Sequence, residues 1–197
     1  MPRTATPGRL TPFQSSLKDA IDTFESLAAL EEPLVRAADT VLDALLSGGK
    51  LLFCGNGGSA ADSAHMATEF TCRFKDDRRP YPAIALNVDG GLLTAIGNDY
   101  AFQEVFARQV HAFAKPGDVL VALTTSGKSR NILSALEEAR RRGMKTIVLL
   151  GKGGGFTAGA ADIEILVPGT ITARIQEAQK FLLHVLCEMV EEKLPRE

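Results

Sequence analysis

The sequence predicts a doubly wound α/β three-layer sandwich: a central five-stranded parallel sheet, preceded by N-terminal helices. Three observations carry that prediction. Apolar runs such as Val119-Leu-Val-Ala-Leu123 and Thr146-Ile-Val-Leu-Leu150 are continuous and not alternating, as in strands buried on both faces. They alternate along the chain with segments of helical periodicity, which makes parallel strands joined by right-handed crossovers. Glycine- or hydroxyl-rich turns follow the strands, where such folds place their sites.

Two helical patterns open the chain. Apolar residues at Phe13, Leu17, Ala20, Ile21, Phe24 and Leu27 predict a helix from Phe13 to Leu30. Pro33 starts a second, with Leu34, Ala37, Val41, Leu42 and Leu45 apolar, stopped by Gly48-Gly49. Strands are predicted at 50–54, 82–87, 118–124, 145–150 and 162–167. Helices are predicted at 59–73, 102–114, 129–142 and 172–193, with a short one near 91–97. Neither an internal repeat nor a low-complexity linker interrupts the pattern. Residues 11–197 read as one domain, led by the helical segment 12–48, behind a disordered N-terminus over 1–10.

A chain of 197 residues can bury a sizeable core. A net charge of −2 without long basic or acidic runs argues against a nucleic-acid or membrane surface. Any bound anion must then be held by local backbone and hydroxyl groups. Cys54, Cys72 and Cys187 are scattered without C-x-x-C spacing, which predicts reduced, mostly buried thiols in a cytoplasmic protein. The N-terminal residues lack the apolar core of a signal peptide, and no apolar run approaches a membrane span.

The first informative turn is Cys54-Gly-Asn-Gly-Gly-Ser59. A strand, a glycine-rich turn and a helix with Ser59 at its N-cap would aim backbone N–H groups and a positive dipole end at a phosphate. Gly55-x-Gly57-x-x-Ala60 also fits a dinucleotide fingerprint. His65 and Glu69, four apart, share one face of the following helix. Such a pair is commonly only a solvated helix pair.

The second turn, Thr124-Thr-Ser-Gly-Lys-Ser129, places four hydroxyls at a helix N-terminus. A helix cap would explain Ser129 alone, but not Thr124, Thr125 and Ser126 with it. A P-loop is excluded because its first glycine would fall on Ala122. A dinucleotide site lacks its acid about 20 residues past the turn, since the nearest acid closing a strand is Asp89.

Taken together, Cys54-Gly-Asn-Gly-Gly-Ser-Ala-Ala-Asp62, His65 and Glu69, Ala95-Ile-Gly-Asn-Asp99, Thr124-Thr-Ser-Gly-x-Ser129 and Ala173-Arg-Ile-Gln-Glu177 with His184 resemble a known family. It is the phosphoheptose isomerase branch of the sugar isomerase (SIS) domain proteins. The resemblance runs from about residue 12 to the C-terminus. It implies a cytoplasmic homotetramer with sites at subunit interfaces. It implies conversion of sedoheptulose 7-phosphate to D-glycero-D-manno-heptose 7-phosphate, an early step toward the heptose of lipopolysaccharide or another surface polysaccharide. It makes Glu69 and His184 the acid/base pair. Ser59, Thr124, Thr125, Ser126 and Ser129 would hold phosphate. Asn56, Gly57, Gly58, Asn98, Asp99 and Gln176 would contact the sugar, with Glu69 beside them. The resemblance also implies a divalent metal, Zn2+, on His65, Glu69, Gln176 and His184. Lys128 stands where a small Asn is usual, and Gly151-Lys-Gly-Gly-Gly-Phe156 is richer in glycine than usual.

The chemistry suits these residues. Ketose–aldose isomerisation moves one proton between C1 and C2 through an enediol, and a carboxylate and an imidazole can share that work. Gln176 and His184 lie eight apart, about 80° beyond two helical turns, so both can border one site. Without the resemblance, His184 in Phe181-Leu-Leu-His-Val-Leu186 reads as a core histidine. His111 has no companions in the sequence and reads as a surface residue. The alternatives are a non-catalytic SIS protein that binds a replication initiator or senses a sugar phosphate, and an isomerase of another sugar phosphate. Non-catalytic relatives lack the equivalents of Glu69 and His184.

Overall fold

Thr11 sets where the first helix begins. Its hydroxyl accepts the Gln14 backbone N–H (3.2 Å), and the Gln14 side chain accepts the Thr11 N–H (2.9 Å), a reciprocal cap. Pro12, with no N–H to leave unpaired, opens α1 (Pro12–Ser26). A 3-10 segment, Leu27–Leu30, leads into α2 (Glu31–Leu46). Helix α2 starts two residues before the expected Pro33, because Pro33 falls in the first turn, where backbone N–H groups have no intrahelical partner. The computed structural model describes residues 10–196. The disorder expected over 1–10 therefore lies, Leu10 apart, outside the described residues.

The strands are β1 (Leu51–Gly55), β2 (Ala83–Ala85), β3 (Val119–Thr124), β4 (Lys145–Leu150) and β5 (Ile163–Leu166), all parallel, in the order β2-β1-β3-β4-β5. Between them run α3 (Gly58–Thr71), α4 (Gly90–Asp99), α5 (Ala107–Phe113) and α6 (Arg130–Arg141), and α7 (Thr172–Glu191) closes the chain. Every residue of β1 and β3 is buried, as continuous apolar runs require of central strands. Their side chains alternate between two cores. Phe53, Val121, Leu123, Ile147 and Leu149 pack with α2, α3 and α7, whereas Leu52, Cys54, Leu120, Ala122 and Val148 pack with α5 and α6.

Two further departures from the sequence pattern have a visible structural cause. Strand β2 ends at Ala85 and not at residue 87, because Asn87 turns its amide onto the Gly55 carbonyl (2.6 Å). The helix expected over 102–114 is a 3-10 turn at Phe102–Glu104 followed by α5. Buried Val105 and Phe106 fill the core between them, and the Gln109 amide donates to the Leu86 and Val105 carbonyls (2.9 and 2.7 Å).

Sequence expectations for exposed and thiol groups are refined by packing. His111 is a surface residue, but it has company: its Nδ1 meets Glu138 Oε1 at 2.7 Å, and Arg142 closes on the same ring. All three thiols are free; Cys54 and Cys187 are buried and Cys72 is exposed. Burial, with Glu69 nearby, pushes the Cys187 thiol up to about 12, so it stays protonated. Among the described residues no helix is long and apolar enough to cross a membrane.

Candidate active site

The strand order reverses between β1 and β3, so the crevice of this sheet opens above their carboxyl ends. Both turns singled out by the sequence sit there. The Asn56 and Asn131 amides exchange two hydrogen bonds (2.9 and 2.8 Å) and tie the turn after β1 to the start of α6. Asn56 thus spends one donor and one acceptor on this tie and keeps one of each.

The turn after β1 is tighter than the sequence suggested. Gly57, at φ 58°, is the N-cap of α3, and no side chain caps the helix. Ser59, expected as the cap, lies buried in the first turn with its N–H on the Asn56 carbonyl (3.1 Å). A positive φ at Gly57 lets the chain enter the helix early. A Cβ on Gly58 would lie 1.9 Å from Gln176 Nε2, so the Gln176 side-chain amide packs directly on the Gly58 backbone. The start of α3 and α7 therefore meet through the Gln176 side chain.

In the loop after β3, Thr124 Oγ1 accepts the Gly127 N–H (3.1 Å) and Ser126 Oγ accepts the Lys128 N–H (3.1 Å). Ser129 is the N-cap residue of α6, yet its hydroxyl makes no capping bond and lies 3.3 Å from Thr124 Oγ1. A hydroxyl that accepts a bond still has its O–H to give. Ser126 thus retains its donor, as does Thr125 in the same turn, while Thr124 and Ser129 share one hydrogen bond and keep one O–H between them. The glycine-rich stretch, Lys152–Thr157, is what holds this loop. The Thr157 N–H and hydroxyl both donate to the Gly127 carbonyl (3.1 and 2.8 Å). Gly127, at φ 61°, packs backbone to backbone on Gly154, whose carbonyl oxygen would be 2.0 Å from any Cβ. Lys128 is exposed, with its stem beside Gly155.

Helices α3 and α7 supply the titratable groups. Asp62, His65 and Glu69 (i, i+3, i+7) line one face of α3; Gln176, Lys180 and His184 (i, i+4, i+8) line one face of α7. His65 Nε2 lies 2.7 Å from Glu69 Oε1. The His65 and His184 rings meet edge to face at 5.1 Å, and Phe74 stands 5.8 Å from His184. Buried Asp62 accepts from Gln176 Nε2 (3.4 Å) and faces Lys180 Nζ (3.4 Å). Burial, reinforced by His65 and Lys180 and opposed by Glu69 and Asp62, holds the His184 imidazole below its ordinary value. It is therefore neutral at neutral pH, with a nitrogen free to accept a proton. Asp62 and Lys180 were not assigned from the sequence, although Asp62 shares the helical spacing of His65 and Glu69.

Turns rich in hydroxyl and N–H donors at the sheet's carboxyl edge, and a carboxylate and a neutral imidazole on α3 and α7, are groups suited to binding phosphate and to moving a proton. Comparison with known proteins agrees. Residues 14–151 match the SIS domain model. The chain belongs to the SIS domain family. Its curated relatives include the phosphoheptose isomerase of a Nitratiruptor species, 48% identical over 93% of this chain and 98% of the relative, and that of Leptospira biflexa, 46% identical over 93% and 96%. The solved phosphoheptose isomerase GmhA from Neisseria gonorrhoeae superposes with a TM-score of 0.85 at 41% identity, covering 90% of this chain and 96% of that one.

Two groups that the SIS family resemblance assigned stand apart from this constellation. Asn98 donates to Asp99 (2.9 Å) at the exposed end of α4, and Asp99 borders a separate cleft of about 290 Å³ with Tyr100 and Arg108. Of the four residues expected to hold a metal, His65 lies against both Glu69 and His184, whereas Gln176 bonds Asp62; two imidazoles with a carboxylate are donors that zinc favours. In the geometry seen, however, His65 and Glu69 bond each other. Among the described residues, no group of three His, Cys, Asp or Glu side chains is arranged to hold a metal ion.

Proposed function

We propose that this SIS domain protein interconverts sedoheptulose 7-phosphate and D-glycero-D-manno-heptose 7-phosphate in the cytoplasm, early in making the heptose of a bacterial surface polysaccharide such as lipopolysaccharide. The observation that carries this reading is that His65 joins the two helices, bonding Glu69 on α3 (2.7 Å) and meeting the His184 ring of α7 edge to face (5.1 Å), in a chain 46% and 48% identical to two phosphoheptose isomerases. A protein that only binds or senses a sugar phosphate would need the loops and would leave this pair without a task.

The hydroxyls of Ser59, Thr124, Thr125, Ser126 and Ser129, with the N–H groups at the starts of α3 and α6, anchor the phosphate. Glu69 takes the C1 proton of the ketose and returns a proton to C2. His184 passes a proton from O1 to O2 as the enediol forms and collapses. Asn56, Gly57, Gly58 and Gln176 hold the sugar backbone. A zinc ion on His65, Glu69, Gln176 and His184 would supply positive charge to the developing enediolate. Turnover of sedoheptulose 7-phosphate by the purified protein, with zinc supplied, tests this reading; absence of turnover would overturn it.

The same reading includes a homotetramer. Helix α2 buries its apolar face within the subunit. Helix α1 buries none of its residues. Phe13, Leu17, Ile21 and Phe24 are exposed, and Phe24 meets exposed Phe181 of α7 at 5.2 Å. A contiguous apolar stripe of this kind marks an interaction surface. Asn98 and Asp99, away from the loops of their own subunit, then act at a subunit boundary. Light scattering at micromolar protein is expected to give the tetramer mass, and a monomer would refute interface-built sites.

A further inference from the structure

Arg78 is a cation almost sealed from solvent. Its side chain is 1% exposed, and that of its partner Glu191 is 6% exposed. Buried charges are costly unless they are paired and hydrogen-bonded, and here both are. Arg78 Nε donates to Glu191 Oε1 (2.9 Å). Its Nη1 donates to the Phe70 carbonyl (3.0 Å), and its Nη2 donates to the carbonyl of Glu69 itself (2.7 Å). Those carbonyls end α3, where the helix stops at Thr71 and leaves them short of helical partners. Glu191 in turn accepts the N–H groups of Phe74, Lys75 and Asp76 (3.0, 2.7 and 3.2 Å). It thereby fixes the Phe74 ring beside His184. Glu191 also lies seven residues from His184 on α7, two turns along the same face.

One buried ion pair thus touches both halves of the proton-transfer pair: the Glu69 backbone through Arg78, and the His184 ring through Glu191 and Phe74. Neither Arg78 nor Glu191 borders the sugar or phosphate loops. We propose that the Arg78–Glu191 pair is a positioning device that sets Glu69 on α3 against His184 on α7 for the isomerisation. A planar guanidinium is needed because it donates in three directions at fixed angles, which a lysine ammonium on a flexible stem does not reproduce.

The inference rests on the isomerase reading, and the test separates the two. Arg78→Lys keeps the charge on Glu191 but loses the fork to the α3 carbonyls. Misplacing a reacting group by about 1 Å costs up to about a hundredfold. Arg78→Lys is therefore expected to lower kcat by about tenfold or more. KM should shift by less than about twofold, because the phosphate loops are untouched. Glu191→Gln, nearly isosteric, is expected to show the same split and decides the matter if Arg78→Lys does not fold. Wild-type kcat in a folded variant would overturn the proposal, as would a loss carried by KM, or failure of both variants to fold. A wild type without turnover would instead overturn the isomerase reading.

Discussion

Glu69→Gln is expected to lower kcat at least about a hundredfold, and His184→Asn to do the same, since positioned acid–base groups contribute about 10²- to 10⁴-fold each. Gln keeps the size and hydrogen-bonding reach of Glu69 toward His65 but cannot take a proton. Asn removes the imidazole that burial keeps neutral. Neither change touches the loops at the sheet's carboxyl edge, so phosphate-bearing ligands should bind as before. Near wild-type turnover by Glu69→Gln would remove the carboxylate from the mechanism. Steady-state kinetics on both variants, with binding of the sugar phosphate measured separately, makes the comparison.

Gly127→Ala is expected to have the second largest effect, and to act on binding. Its φ of 61° disfavours a side chain, and a methyl group would meet the Gly154 carbonyl oxygen at 2.0 Å. Backbone cannot give way as a flexible side chain can. The loop must separate from the Lys152–Thr157 segment and lose both Thr157 hydrogen bonds to Gly127. KM is expected to rise about tenfold or more, by loss of one or two charge-assisted hydrogen bonds to phosphate. The milder pair Ser126→Ala with Ser129→Ala should also raise KM while leaving Tm nearly unchanged. Ser129 makes no capping bond, so α6 loses little. An unaltered KM in that double variant would mean that these hydroxyls do not hold phosphate.

How much of this could be read in the sequence follows from the range of the forces involved. Strands β3 and β4 and the parallel sheet were legible, because continuous apolar runs report burial directly. The two turns were legible because glycine and hydroxyl clusters mark where a chain bends and what it can donate. The meeting of Glu69 and His184 around His65 was not, since they lie on the third and the last helix and local periodicity carries no such contact. His184 alone reads as core; only the resemblance assigned it chemistry. The task of Gly153-Gly-Gly155 was equally hidden, because its partner is the backbone of Gly127 and not a side chain. Arg78 stands in an Asp-Asp-Arg-Arg run, a local pattern that carries no sign of burial. Burial against Glu191, 113 residues away, gives it a different character. The cap of α3 moved to Gly57 because backbone conformation outweighed the side-chain preference of Ser59.

The most direct measurement is conversion of sedoheptulose 7-phosphate in D2O by the zinc-supplied protein, with the aldose product examined by NMR. Transfer through an enediol puts the travelling proton on Glu69, where it can exchange with solvent. Deuterium is therefore expected at C2 of D-glycero-D-manno-heptose 7-phosphate, and Glu69→Gln should abolish its appearance on the same time scale. Product formed rapidly with no deuterium at C2, in wild type and Glu69→Gln alike, would contradict an acid–base isomerase built on Glu69 and His184.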